Sequence, residues 1–129
     1  YFSRRIQAQG WCIMRATASK ARDFNKVQEV PGLAGGFAHP TVSPKGNLMF
    51  LQGKLSDGRW GLYYSRRNAA GQWATPQPLE DLNNHPGKEG TLAPSLSWDG
   101  VYLFFTSDRP GGKGGLDLYW VEVKQLELK

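Results

Sequence analysis

Nearly the whole chain is one sequence unit written almost three times. The segment Pro40-Thr-Val-Ser-Pro-Lys-Gly46-Asn-Leu-Met-Phe50 returns as Pro94-Ser-Leu-Ser-Trp-Asp-Gly100-Val-Tyr-Leu-Phe104. Pro, Ser and Gly are all displaced by 54 residues, and an apolar run follows each Gly. Further on, Gly61-Leu62-Tyr63 matches Asp117-Leu118-Tyr119 at a displacement of 56, so the loop between has grown by two. Trp11-Cys12-Ile13-Met14 lies 49 residues before Trp60-Gly61-Leu62-Tyr63, and Phe24 and Val30 precede Trp73 and Leu79 by the same interval. A unit of about fifty residues cannot bury both its faces alone, so successive copies must hide their apolar surfaces against one another.

Each copy reads as short strands separated by turns. The chain holds 16 Gly and 8 Pro, which break helices and punctuate hairpins, and its aromatics suit half-buried pleated surfaces. In the middle copy the expected strands are 38–43, 47–52, 61–66 and 73–79, with the turn Pro44-Lys45-Gly46 and a hairpin loop at Asn68–Gly71. Pro76 and Pro78 fall in the last strand, as an outer edge allows, because a missing N–H there breaks no ladder bond. The first copy lacks its innermost strand. The last reaches a third strand at 116–123, and 124–129 supplies at most a short outer one. The expected architecture is all-β: a partial β-propeller of about three four-stranded antiparallel blades, the first and last incomplete. The single arc 1–129 divides into the end of blade one (1–31), a complete blade two (32–80) and most of blade three (81–129). Three blades fall short of the usual ring of four to eight. Either the rest of the ring lies outside this chain, or two copies associate as a homodimer to close it.

Charge and special residues narrow the function classes. The formal charge of +5 is dispersed, its densest features being Arg4-Arg5 and Arg66-Arg67, whereas nucleic-acid binding asks for a clustered basic stripe. No nucleic-acid partner is therefore expected. The lone Cys12 has no intramolecular disulfide partner, and no CxxC or His/Cys cluster suggests zinc. No apolar run approaches the ~18 residues of a membrane span. The opening Tyr1-Phe2-Ser3-Arg4-Arg5 has no signal-peptide core and no Met. The expectation is a mature product or a fragment, with any targeting signal upstream.

The third copy carries a family resemblance. Pro94-Ser-Leu-Ser-Trp-Asp-Gly100 followed by Leu103-Phe-Phe-Thr-Ser-Asp-Arg-Pro-Gly-Gly-Lys-Gly-Gly-Leu-Asp-Leu-Tyr119 resembles the TolB-type, WD-repeat-like β-propeller repeat. That repeat runs Pro-x-x-Ser-x-Asp-Gly, an apolar strand, Ser-Asp-Arg, a Gly-rich loop and Asp-Ile/Leu-Tyr. Its structural motif maps onto Ser97, Asp99, Gly100, Ser107, Asp108, Arg109, Asp117 and Tyr119. The middle copy departs, with Lys45 in place of Asp and Gln52-Gly53-Lys54 in place of Ser-Asp-Arg. The resemblance implies a bacterial protein of the periplasm, cell envelope or secreted fraction, serving as a scaffold for protein binding. A second implication is the substrate-gating propeller of a prolyl-oligopeptidase-like peptidase whose catalytic domain is absent here. Such resemblance speaks to architecture more than to task.

No residue pattern in the chain asks for catalysis. Asp108-Arg109 reads first as a structural pair, Asp accepting backbone N–H bonds to cap the Gly-rich loop and Arg bridging to a neighbouring blade. Gly111-Gly-Lys-Gly-Gly115 leads into a strand rather than a helix, unlike a phosphate loop. His39 and His85 each precede Pro, and no Gly-x-Ser-x-Gly elbow exposes a nucleophile. Asp57, Asp81, Asp108 and Asp117 lack the spacing of a calcium loop, and Ser56-Asp57-Gly58-Arg59-Trp60 is one residue short of an Asp-box. No cofactor or metal is expected. The long connections 32–39, 53–60, 80–91 and 107–115 should emerge at one end, where binding is usually placed. Lys54, Arg59, His85, Lys88, Arg109 and Lys113 would make that end basic for a protein partner or small ligand. Trp60 is either the anchor there or a residue packed between blades.

Overall fold

The computed structural model describes residues 1–33 and 35–129. Three antiparallel sheets follow one another along it, and none closes on itself. The first contains β1 (Phe2–Ile6), β2 (Gly10–Thr17) and β3 (Lys26–Glu29). The second contains β4 (Ala38–Val42), β5 (Leu48–Lys54), β6 (Trp60–Arg66) and the two-residue β7 (Gln77–Pro78). A single helical turn, α1 (Glu80–Asn83), leads to the third sheet of β8 (Thr91–Leu96), β9 (Tyr102–Ser107) and β10 (Asp117–Glu122). Within each sheet the strands pair in chain order.

The sequence repeat is also a repeat of backbone detail. Ser43 and Ser97 open identical turns: the Gly46 and Gly100 N–H groups donate to their carbonyls, and the serine hydroxyls accept from the N–H groups of Leu48 and Tyr102. Both glycines hold left-handed φ values, 69° and 74°, which a β-carbon would strain. One bulge recurs at the same displacement, between Ala38 and Thr41 and again between Leu92 and Ser95. At its centre the non-glycine residues His39 and Ala93 adopt φ of 51° and 50°.

Burial follows the two-residue period of the strands. Met49 and Leu51 of β5, with Tyr63 of β6, turn toward the first sheet and join Ile13, Val30, Leu33 and Trp73 in one core. Phe50, Leu62 and Tyr64 turn the other way and join Leu79, Leu82, Leu103 and Phe105 in a second. The middle sheet is therefore covered on both faces, which is why β5 reads as the unbroken apolar run Leu48-Met-Phe-Leu51. Each large side chain so buried contributes about 1.5–3 kcal/mol.

Two expected outer strands are corrected. The span 73–79 pairs only at Gln77–Pro78 and at an isolated Arg67–Trp73 bridge, because Pro76 and Pro78 have no N–H to give. The final residues form no strand in the third sheet. After a 3₁₀ turn at Val123–Gln125 the tail folds back on the second core with Leu126 and Leu128. There the Tyr64 hydroxyl donates to the Lys129 carbonyl (3.0 Å) and Arg66 to that of Leu128 (3.3 Å). Leu126 and Leu128 pack as partly buried apolar residues against that core.

Candidate functional site at the long-loop end

Three long connections meet at one end of the molecule, braced by side chains. The Arg59 guanidinium, held by Asp57 at 2.7 Å, donates across to the carbonyls of His85 (2.5 Å) and Gly87 (3.2 Å). The Arg59 guanidinium and then the Arg59 backbone N–H, both donating to Asp57, keep its carboxyl below the ordinary range. The Trp60 N–H donates to the Glu89 carbonyl, and Trp60 bridges Gly90 in parallel. From the third sheet, Asp108 accepts the N–H groups of Glu89 (2.8 Å) and Gly90 (3.0 Å), which depress its pKa. The loops 53–60, 80–91 and 107–115 are thus one cross-tied platform. Phe37 of the connection 32–39 stands edge-on to Tyr63 at 5.2 Å; residue 34 of that connection lies outside the described residues.

These bonds correct the expected duties of Asp108 and Arg109. Asp108 ties down the preceding loop at residues 89 and 90, not its own Gly-rich loop. That loop is capped by Asp117, whose carboxylate accepts from the Lys113 N–H at 2.7 Å. Arg109 lies over the rings of Phe105 (4.9 Å) and Tyr119 (5.0 Å) and donates to Ser107 Oγ and the Leu82 carbonyl, so its reach ends at α1. Burial lowers its pKa. The Tyr119 hydroxyl is the one buried side-chain polar atom without a partner among the described residues. At the turn, Ser97 donates to Asp99, which also accepts the Val101 N–H, and the carboxyl is held low by both.

Sequence reasoning passed over Asn83 and Gln52. The buried Asn83 amide accepts the Leu62 N–H (2.8 Å) and donates to the Leu62 carbonyl (2.9 Å), standing in for the strand that β7 is too short to supply. Gln52 accepts the Ala93 N–H at 2.8 Å, joining second and third sheets at the bulge. Asn83 lies in no motif and Gln52 stands out in the sequence only as a departure from Ser-Asp-Arg; each is defined by what lies across from it.

Ser107, His85 and Asp108 come together, yet not as a nucleophile and its base. His85 Nδ1 accepts the Gly87 N–H (3.1 Å), which places the neutral ring's proton on Nε2. Nε2 faces Thr91 Oγ1 (3.0 Å) and Ser107 Oγ (3.2 Å), and the Thr91 hydroxyl itself donates to the Leu82 carbonyl. A protonated Nε2 cannot take the Ser107 proton, and Ser107 is fully buried. No protein-family model matches this chain, and no curated protein matches it.

What the platform offers outward is Trp60, Lys54, Lys88 and Lys113. The Lys54 ammonium sits 3.9 Å from the Trp60 ring centroid, and Trp60 is half-buried. The expected basic character is weakened, because Arg59 and Arg109 direct their donors inward while Asp57 and Glu89 are exposed beside the lysines.

His85 makes the platform sensitive to pH. Desolvation first, then the nearby Arg109 and Arg59 charges, lower its pKa against an opposing pull from Asp108. A depressed folded-state value means that the neutral ring favours folding. That contribution is whole above the ordinary value of 6.5 and is lost as pH falls through the folded value. Urea midpoints are expected to fall between about pH 7 and pH 5, and His85→Gln to flatten that slope. An unchanged slope in the variant would assign the dependence elsewhere.

Proposed function

We propose that this chain is an arc of β-propeller blades that works without catalysis, binding a protein or a small ligand at its long-loop end. The observation that carries the reading is the cross-tied platform. Three loops from two successive repeats are locked to each other through Arg59, Asp108 and the Trp60 backbone. Pre-ordered loops lose little entropy on binding, which is what a recognition surface on a rigid scaffold needs. The groups with catalytic potential are committed to holding loops in place: both nitrogens of His85 are engaged, and Asp108 caps backbone N–H groups. The repeated turn and bulge, and the stacking of successive sheets through two cores, support the blade reading. By resemblance to TolB-type repeats, the setting proposed is the bacterial periplasm, envelope or secreted fraction.

Trp60 with Lys54 over its ring is the proposed anchor, an aromatic and a cation suited to acidic or aromatic peptides. A phage-displayed random peptide library panned on the chain is expected to yield binders whose affinity drops at least about tenfold with Trp60→Ala. Peptides indifferent to Trp60 and Lys54, or turnover of ester or peptide substrates that disappears in His85→Ala, would overturn the reading.

A further inference from the structure

The outer face of the third sheet is apolar and uncovered. Tyr102 and Phe104 of β9 lie beside Leu118 and Trp120 of β10, with Phe104 directly paired to Trp120 and the Tyr102 ring edge-on to Trp120 at 5.2 Å. Leu118 is 72% exposed and Trp120 61%. The repeat says what these residues are for. Tyr102, Phe104, Leu118 and Trp120 occupy the positions of Leu48, Phe50, Leu62 and Tyr64 one unit earlier. Those four are covered by the third sheet, through Leu103 and Phe105 with Tyr119 beside them. The turn tells the same story. Pro44 packs on Gly100 of the next sheet so closely that a β-carbon there would come within 2.8 Å. Its counterpart Trp98 is the most exposed large hydrophobic side chain among the described residues, at 98%. A face with this composition is therefore built to receive another sheet of the same unit.

The chain carries a surface of the covering type at its other end. The residues that cover Phe50 are Phe105 and Tyr119, whose positions in the middle sheet are held by Leu51 and Tyr63 and in the first sheet by Phe2 and Met14. Phe2 and Met14 are directly paired across β1 and β2, and because the intervening Ile13 joins the core with the second sheet, both lie on the opposite face; Met14 is buried there (6% exposed) and the half-buried Phe2 is the one that reaches the surface. Val27, 43% exposed, lies on that face through its pairing with Ala16. We propose that the outer face of the third sheet receives a second copy of this chain, docked by the outer face of that copy's first sheet. The contact is heterologous, continuing between chains the sheet-on-sheet packing seen within one. It involves none of the platform residues, so peptide binding at the loop end and self-association stand or fall separately.

Sedimentation of the full chain between about 1 and 100 µM tests this, in the range where a contact of modest area becomes populated. The wild type is expected to self-associate. Trp120→Glu and Phe2→Glu are each expected to weaken association at least about a hundredfold, since each buries a lone carboxylate in an apolar contact. Mixing the two variants should restore a one-to-one complex, because the intact third sheet of one meets the intact first sheet of the other. Circular dichroism checks the fold of each variant. Should Phe2→Glu unfold, the exposed Val27→Glu takes its place. A monomer at every concentration overturns the proposal. So does association abolished by Trp120→Glu but untouched by the first-sheet variants, which would mean third sheet against third sheet.

Discussion

Phe50→Ala is expected to destabilise the chain by about 3–5 kcal/mol, while Phe104→Ala, the same change at the equivalent position one repeat later, costs roughly 1 kcal/mol or less in a single copy. Phe50 is fully buried between the second and third sheets, touching both β6 and β9 residues of its core, so removing the ring leaves a cavity walled on both sides. Phe104 has a sheet on one side only. Its ring is half-buried, and the space left by truncation opens to water. Urea unfolding of both variants, at a dilution where the chain is monomeric, reads the difference directly. Equal costs at the two positions would show that the outer face of the third sheet is already covered in one copy, contrary to the packing described.

Gly90→Ala is the second large effect, expected at roughly 2–5 kcal/mol from left-handed strain plus overpacking. Gly90 holds φ at 99°, and a β-carbon there would land on the carbonyl oxygen of Trp60. It also donates its N–H to Asp108. The substitution must push the 80–91 connection off β6 and break the tie to the third sheet, so the platform loses its centre. Gly46→Ala is the matched control. Its φ of 69° is also left-handed, but the space around it is open, so only the backbone strain of about 1–2 kcal/mol applies. A chemical-denaturation series that gives both variants the same loss would show the close approach at Gly90 to be unimportant. Peptide binders dependent on Trp60 should lose affinity in Gly90→Ala and keep it in Gly46→Ala.

The strands were legible because their two requirements are local. Alternating apolar residues and Gly or Pro punctuation place β4, β5, β6 and β10 within a residue or two of their observed ends. The meeting of the connections 53–60, 80–91 and 107–115 followed from strand alternation; 32–39, expected with them, touches β6 through Phe37 against Tyr63. The outer strands were not legible, since an edge is decided by what competes for it. Two prolines starved β7 of donors, and the second core drew in Leu126 and Leu128. Asp108 shows the same limit within the site. A carboxylate after a strand was readable as a cap, but which backbone it caps depends on a loop nineteen residues earlier that folds back beside it.

What the sequence determined unaided is the periodic part: one unit recurring at displacements of 49 to 56 residues, with its turn serines and apolar faces, because hydrogen-bonded turns and two-residue alternation are encoded by neighbours in the chain. Tertiary structure decided which copies of each apolar position are buried. Phe50 and Phe104 follow the same local pattern, yet one is enclosed and the other faces outward, because burial is set by whether another sheet stands opposite. It also decided the wiring of the platform, where Arg59, Asp108, Asn83 and Gln52 find partners 18 to 41 residues distant. Hydrogen bonds across such separations exist only once the sheets have stacked.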